Sequence, residues 1–340
     1  MEMQLARKSK LLLLYNNKNI SEEIDKYLLN FTYADHANGK ADDLQIVLED
    51  RAGLWRSDWF PEKGARLSSG LVVVNWNGNQ GEEALPLGFF EIDELEPTGP
   101  PDIVTLKAIS VPISSSLWGE DKTRAWEKTK LSAIANDIAG TAGLGVFYDT
   151  AEDPPYDRIE QTEQPDLPFL QKLCEDAGLS LKVTGDKLVI FDDSKYEQLE
   201  PVKTIIRGKS NVLSYSGRSQ TRNIYSACRV EYKGGKKKED ICFTYTPPNR
   251  PKTGKTLVIN ERVDSIAEAE RLAKKRLRQK NCEEMTFNLT LQGDITLVAG
   301  VTVMIEGWGV FDGKYFINQA THGGPGYAIS LELRRVLEGY

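Results

Sequence analysis

The sequence predicts a mainly β fold with an α+β insert: two antiparallel β-barrel regions flanking a small α/β module. Three observations carry that reading. Short apolar or alternating runs separated by turn residues fill the first 110 positions and return after position 201. Between them the apolar spacing changes from period two to that of a helix. The length, 340 residues with 40% hydrophobic and 27% charged side chains, suits two or three globular domains rather than one core or a disordered chain.

The first region, residues 1–110, opens with Leu11 to Leu14. Basic residues precede this run as in a secretory leader, but the run is too short and Asn16 and Asn17 follow at once, so it reads as a first strand made in the cytoplasm. "LQIVLED" from Leu44, "LVVVNW" from Leu71, "LGFFEID" from Leu87 and "DIVTLKAIS" from Asp102 follow, each bounded by Gly, Pro, Asn or Asp. Regular short strands of this kind suggest a barrel or sandwich. Trp55, Trp59 and Phe60 share one connection and are expected to plug a barrel end.

The module at 111–200 contains two helix-to-strand units. Leu131, Ile134, Ala135, Ile138 and Ala142 line one helix face, Gly140 and Gly143 end it, and Val146 to Tyr148 form a strand. "QPDLPFLQKLCEDAGLSLKV" (Gln164 to Val183) repeats the plan. Asp166 is the expected N-cap, Pro168 fits the first turn, Phe169, Leu170, Leu173, Cys174 and Ala177 make the stripe, and Gly178 with Leu179 suits a Schellman stop. Glu175 reads as a solvated charge. Gly185-Asp186 is a hairpin turn before the return strand Leu188 to Phe191.

In the last region, 201–340, strands resume at Val202. One helix, at about 265–280, interrupts them: Ser265 with Glu268 forms a capping box, and Ile266, Ala269, Ala273 and Leu277 face inward. Tyr245 to Thr256 has no apolar pattern and reads as an extended loop, the kind that carries partner contacts.

Chemistry is sparse. The four cysteines (Cys174, Cys228, Cys242, Cys282) lack metal-ligand spacing and there are two histidines, His36 and His322. Cys228 and Cys242 are placed to face each other across a hairpin turning at Gly234-Gly235, and are read as buried free thiols in a reducing compartment. Neither histidine has a G-x-S-x-G elbow to serve, and no phosphate-binding glycine loop occurs. Asp153 with Asp157, or Glu91 with Asp93, are the carboxylate pairs a glycosidase would need, set against 50 acidic residues among which chance pairs are expected. The Lys233–Asp240 tract is a solvated hairpin tip, and Lys274–Lys280 is a helix C-terminal face suited to the macrodipole. With net charge −7 and no interleaved aromatics, a nucleic-acid groove is not supported. Catalytic, cofactor and metal residues: none is assigned. No apolar run is long enough to cross a bilayer as a helix, and no stable membrane insertion is expected.

Several segments together resemble the baseplate hub of contractile bacteriophage tails, the late-control D family, with its relatives in prophage-like particles and tailocins. They are "FTYADHANGKADDLQIVLEDRAGLW" (Phe31 to Trp55), "WFPEKGARLSSGLVV", "KLSAIANDIAGTAGL", the Gln164 stretch, and "GVTVMIEGWGVFDGKYFINQATHG" followed by "GYAISLELRR". The resemblance implies two barrels of the tail-tube type and a homotrimer whose six barrels make a ring joining the six-fold tail tube to the three-fold central spike. It implies contacts with the tube or tube-initiator protein and the spike, and with the tape-measure protein and baseplate wedge. DNA would be a transient lumen passenger, which an acidic or neutral lumen would not trap. It implies a place in the virion or tailocin baseplate, assembled in the host cytoplasm, with any spike or hydrolase on a separate polypeptide. Two rival expectations are a tail-associated cell-wall hydrolase using a carboxylate pair, and a membrane- or glycan-binding adhesin.

Overall fold

The structure, a computed structural model, describes residues 6–62, 64–76, 81–110, 117–233, 240–248, 254–263, 265–324 and 326–340. The Gly234-Gly235 turn, the middle of the Lys233–Asp240 tract and positions 249–253 of the long loop lie outside these.

Elements of the first part are β1 (Lys8–Tyr15), β2 (Lys18–Asn19), α1 (Ser21–Asp25), β3 (Leu28–His36), β4 (Asp43–Glu49), β5 (Arg66–Val74), β6 (Glu82–Thr98) and β7 (Ile103–Ile109). Strict alternation in β4 and β7 puts Leu44, Ile46, Leu48, Val104, Leu106 and Ala108 into one core, with Phe31, Tyr33, Leu71 and Phe90 from the neighbouring strands.

The middle part holds β8 (Lys122–Lys130), α2 (Leu131–Ala142), β9 (Gly145–Asp149), β10 (Pro155–Gln164), α3 (Asp166–Asp176), β11 (Ser180–Val183), β12 (Lys187–Phe191) and α4 (Asp193–Glu197). Its second core joins Leu131, Ile134 and Ile138 of α2 to Leu170 and Cys174 of α3 and to Leu181 and Ile190 beneath. Both longer helices end in the same way. Gly143 and Gly178 take φ of +70°, and the next residues, Leu144 and Leu179, donate to the carbonyls of Ala139 and Cys174 at 2.9 and 2.8 Å. These are paired Schellman stops, as the repeated sequence plan predicts. Asp166 departs from expectation. It is the first helical residue, after Pro165, and its carboxylate turns to Lys122, Arg124 and Gln161 instead of capping, because a fully buried carboxylate is better held by two cations than by one N–H. The ribbon of β8 and β10 had no apolar alternation to reveal it.

The last part contains β13 (Lys203–Ile206), β14 (Val212–Ser219), β15 (Ala227–Tyr232), β16 (Ile241–Tyr245), β17 (Thr256–Ile259), α5 (Ile266–Asn281), β18 (Met285–Gln292), β19 (Thr302–Glu306), β20 (Gly313–Gly323) and β21 (Ala328–Arg335). Ser265 caps α5 by accepting the Glu268 N–H at 3.1 Å. Ile266 is 63% exposed, a correction to the expected stripe: the buried face starts one turn later, at Ala269, Ala273 and Leu277. Here β15, β16, β17 and α5 form a sheet and core of their own instead of joining the surrounding strands. Cys228 lies opposite Tyr245, and Cys242 opposite Glu231. Glu231 is three positions from Cys228, so the two thiols point to opposite faces and do not meet. Both are free.

The remaining strands of the first and last parts share one 13-stranded sheet. Its first half runs β3-β4-β7-β6-β5-β1 and its last half β14-β18-β21-β20, with β19 and then β13 beside β20. Numbering the six main strands of each half in chain order gives one sequence for both: 2-3-6-5-4-1. A single orientation differs, since β1 pairs β5 antiparallel and β13 pairs β19 parallel. The halves are therefore two copies of one plan, joined where β20 bonds to β3. At that seam a Cβ on Gly323 would strike the Phe31 carbonyl oxygen, so only glycine permits the close approach.

Candidate assembly surfaces

The residues singled out for chemistry are dispersed and engaged. Asp153 accepts from the backbone N–H of Ser132 at 3.0 Å and its hydroxyl at 2.8 Å, holding the start of α2. Asp157 is exposed near Arg262, at 4.0 Å. Glu91 is buried with Arg66 at 3.5 Å, whereas Asp93 is exposed. His36 is 3.5 Å from Asp43. His322 is fully buried, with its Nδ1 2.8 Å from the Tyr327 hydroxyl. Among the described residues no three His, Cys, Asp or Glu side chains gather as a metal site. Cys174 sits in the second core, where burial pushes its thiol up to about 12, away from nucleophilic use.

Burial lowers His322 to about 4, so it is neutral in the folded protein. A base with a depressed folded pKa contributes stability that is complete above about pH 6.5 and is lost as pH falls toward 4. The wild type should therefore lose up to roughly 3 kcal/mol more than His322→Gln across that interval. Thermal unfolding of both proteins between pH 7 and 4 checks this; parallel curves would contradict it.

What the polar side chains do build is junctions. Lys182 of β11 bonds Asp35 and lies 3.2 Å from Asp42, both in the first part. The other Asp35 oxygen accepts the Ala299 N–H, from the last part, at 2.8 Å, and Asp42 accepts the His36 N–H at 2.8 Å. Asp35, between Lys182 and Ala299, thus ties all three parts together. Burial alone would lower Lys182, but Asp35 and Asp42 outweigh it and the ammonium is held above its ordinary range. A second cluster sets Arg334 of β21 against Glu197 and, at 2.9 Å, Asp193 of α4, with Arg278 of α5 2.6 Å from Glu197. Sequence reasoning missed both, because their members lie far apart in the chain and each is an ordinary charge by itself.

The broad sheet has two unlike faces. Apolar residues point into the two cores. On the other face small neutral polar groups alternate with charges: following the register, Ser214, Thr290, Ser330 and Thr321 form one transverse row running from the last half to the seam, and Glu332 stands between Asn288 and Gln319 in the next row. Thr290 and Ser330 share a hydroxyl hydrogen bond of 3.1 Å. Beyond the seam, Thr32 and Gln45 continue the face to Lys107 and Glu94. At the far end of the first core is an open cavity of about 470 Å³, lined among others by Leu13, Ile24, Trp55, Trp59, Phe60 and Leu106. Trp55 is buried there as the expected plug, while Phe60 is 60% exposed.

Comparison with known proteins adds an independent line. A family model described as "Phage tail baseplate hub (GPD)" matches residues 107–325. Probable baseplate hub proteins of Escherichia phages 186 and P2 are each 29% identical over 181 residues, 53% of this chain and 44% of theirs. The chain thus matches less than half the length of those relatives. Among solved structures, a tail protein from Neisseria meningitidis MC58 has a TM-score of 0.70 at 15% identity, covering 96% of both chains. The 43 kDa tail protein of prophage MuSo2 from Shewanella oneidensis has 0.70 at 14%, covering 96% of this chain and 98% of that one. An E. coli type VI secretion component, described as structurally similar to T4 tail proteins gp27 and gp5, has 0.58 at 11%, covering 99% of this chain and 77% of that one. At such identities the likeness is one of fold.

Proposed function

The chain belongs to the phage tail baseplate hub (GPD) family, and from that membership we propose that it is the structural hub of a contractile tail or tailocin, three copies forming a ring between the six-fold tube and the three-fold spike. The observation that carries the proposal is the repeat of one six-stranded plan within a single continuous sheet. Three such chains present six similar units, so one ring meets six-fold symmetry on one side and three-fold on the other.

The sheet's polar face then lines the channel. Its Ser, Thr, Asn and Gln hydrate without fixing charge, and the carboxylates among them, Glu332, Glu94 and Glu96, do not hold a passing polyanion. The middle α/β module and the small sheet under α5 lie outside that lining, and the ion clusters of Lys182 and Arg334 hold them in place. The role needs no catalytic group. Tube and spike are its coaxial partners, tape-measure and wedge proteins further contacts, and the tail baseplate its location. The division at 1–110, 111–200 and 201–340 serves this reading as two ring-forming parts around an insert.

Mass photometry of the purified chain, alone and mixed with the spike protein of the same particle, tests the reading. A mass of three copies, or of three with one spike trimer, is expected. A chain that stays monomeric in both conditions would overturn it.

A further inference from the structure

The internal repeat allows the contact between neighbouring copies to be read from the contact within one copy. Strand β20 is the fifth strand of its half. Its first residues pair with β19, a one-residue bulge falls at Asn318, and on the same edge Gln319–Gly323 pair antiparallel with β3, the second strand of the other half. Strand β6 is the fifth strand of the first half and is built alike. Residues Glu82–Glu91 pair with β5, a bulge falls at Asp93, and Glu94–Thr98 pair with β7 on one edge only. On the edge where β20 receives β3, this stretch of β6 receives nothing among the described residues. The second strand of the last half, β14, is bonded to β18 alone and is exposed along nearly its whole length. Its bulge, at Leu213, matches the bulge of β3 at Leu29. Both bulge leucines are exposed, at 66% and 52%.

The geometry points to β6 of one copy pairing with β14 of a second copy, in the register of the internal β20–β3 seam. This rests on the ring reading above and specifies its interface. Superimposing the bulges sets Glu94 opposite Gln220, Leu95 opposite Ser219, Glu96 opposite Arg218 and Pro97 opposite Gly217. The charges agree with a fit found from backbone alone: the β6 stretch carries Asp93, Glu94 and Glu96, and Arg218 is the cation on β14. Thr98 stands where Gly323 stands in the internal seam, and its Cβ ends the pairing there.

Within the internal seam the Ala37 N–H donates to Asn318 and the Gly324 N–H to Phe31, so alternate residues of β20 address β3. Their counterparts on β6 are Leu95 and Pro97. Pro97 offers a carbonyl but no N–H, so the contact between copies has one bond fewer than the internal one and depends more on Glu96 with Arg218. The same proline keeps an isolated β6 edge from recruiting strands at random.

The test is a charge exchange in the full chain. Arg218→Glu and Glu96→Arg should each shift the trimer dissociation constant by about tenfold or more, as one close pair turned repulsive does. The double exchange should restore the wild-type value. A Glu96→Cys/Arg218→Cys variant should oxidise to a covalent ring of three copies, resolved by denaturing electrophoresis. A trimer indifferent to both single exchanges and to oxidation would overturn this register while leaving the ring intact. A wild-type chain that never trimerises would overturn the ring itself.

Discussion

Replacing Lys182 with methionine should destabilise the protein by about 3–5 kcal/mol, the cost of leaving buried carboxylates without their counter-charge. Asp35 and Asp42 are each 5% exposed and have no other cation within bonding distance among the described residues. Without the lysine one of them must take up a proton or draw in water. Burial already raises Asp42 to about 6, against the pull of Lys182, and losing the lysine moves it further in that direction. Chemical denaturation measures the loss. Because Lys182 joins the middle part to Asp35, which in turn holds the Ala299 N–H of the last part, the variant should also show early proteolysis near residues 111–200. Adding Asp35→Asn and Asp42→Asn to the same variant should recover part of the loss, since the penalty comes from unpaired charge and not from the missing bond. A loss below about 1 kcal/mol in Lys182→Met would show the cluster to be hydrated instead of dry.

Tyr327→Ala should cost a similar amount, about 3–5 kcal/mol, for a different reason. Tyr327 belongs to the last half of the sheet but is buried in the core of the first, 5.4 Å from the Trp76 ring. Trp76 in turn donates from Nε1 to the Gly293 carbonyl at 2.6 Å, and a Cβ on Gly293 would strike the Tyr327 ring. Removing the ring opens a cavity at the point where the halves interlock. Unfolding followed by Trp76 fluorescence should then precede the loss of far-ultraviolet signal, the two halves parting before either melts. Tyr327→Phe removes only the hydroxyl contact with His322 and should cost about 1 kcal/mol. Equal losses in the two variants would place the effect in the hydrogen bond and refute the packing account.

The elements were legible wherever periodicity met a stop signal. Leu131 to Ala142 and the Gln164 stretch declared their helices, their glycine ends and their kinship, because local chemistry alone specifies a Schellman stop. Strands β4 and β7 were equally plain. The ribbon of β8 and β10 was not, since Thr, Arg, Glu and Lys alternate there with little apolar contrast. Asp166 looked like a cap for the same local reason, and only the fold brings Lys122 and Arg124 to it. The seam between β3 and β20 was invisible: it joins strands nearly three hundred positions apart, and an antiparallel neighbour leaves no mark on either sequence beyond the small residue at Gly323. That the two β-rich regions share one sheet was hidden for the same reason. The aromatic cluster was half legible, Trp55 as a plug, with Phe60 left on the rim of a cavity.

The seam also has a consequence for synthesis. Strand β3 leaves the ribosome long before β20, and the Asp35–Ala299 bond across the same region spans 264 residues. Until β20 arrives, one edge of the first half is an open template with five residues of unpaired backbone. Lys182 emerges well before that, so Asp35, one residue before the end of β3, has its counter-charge at hand when its last neighbour emerges. Late closure of so distant a contact slows folding, and it leaves a nascent chain that halts before Gly313 able to pair with the wrong strand. The order of translation thus matters to this protein: β20 is what seals the edge of the half made before it.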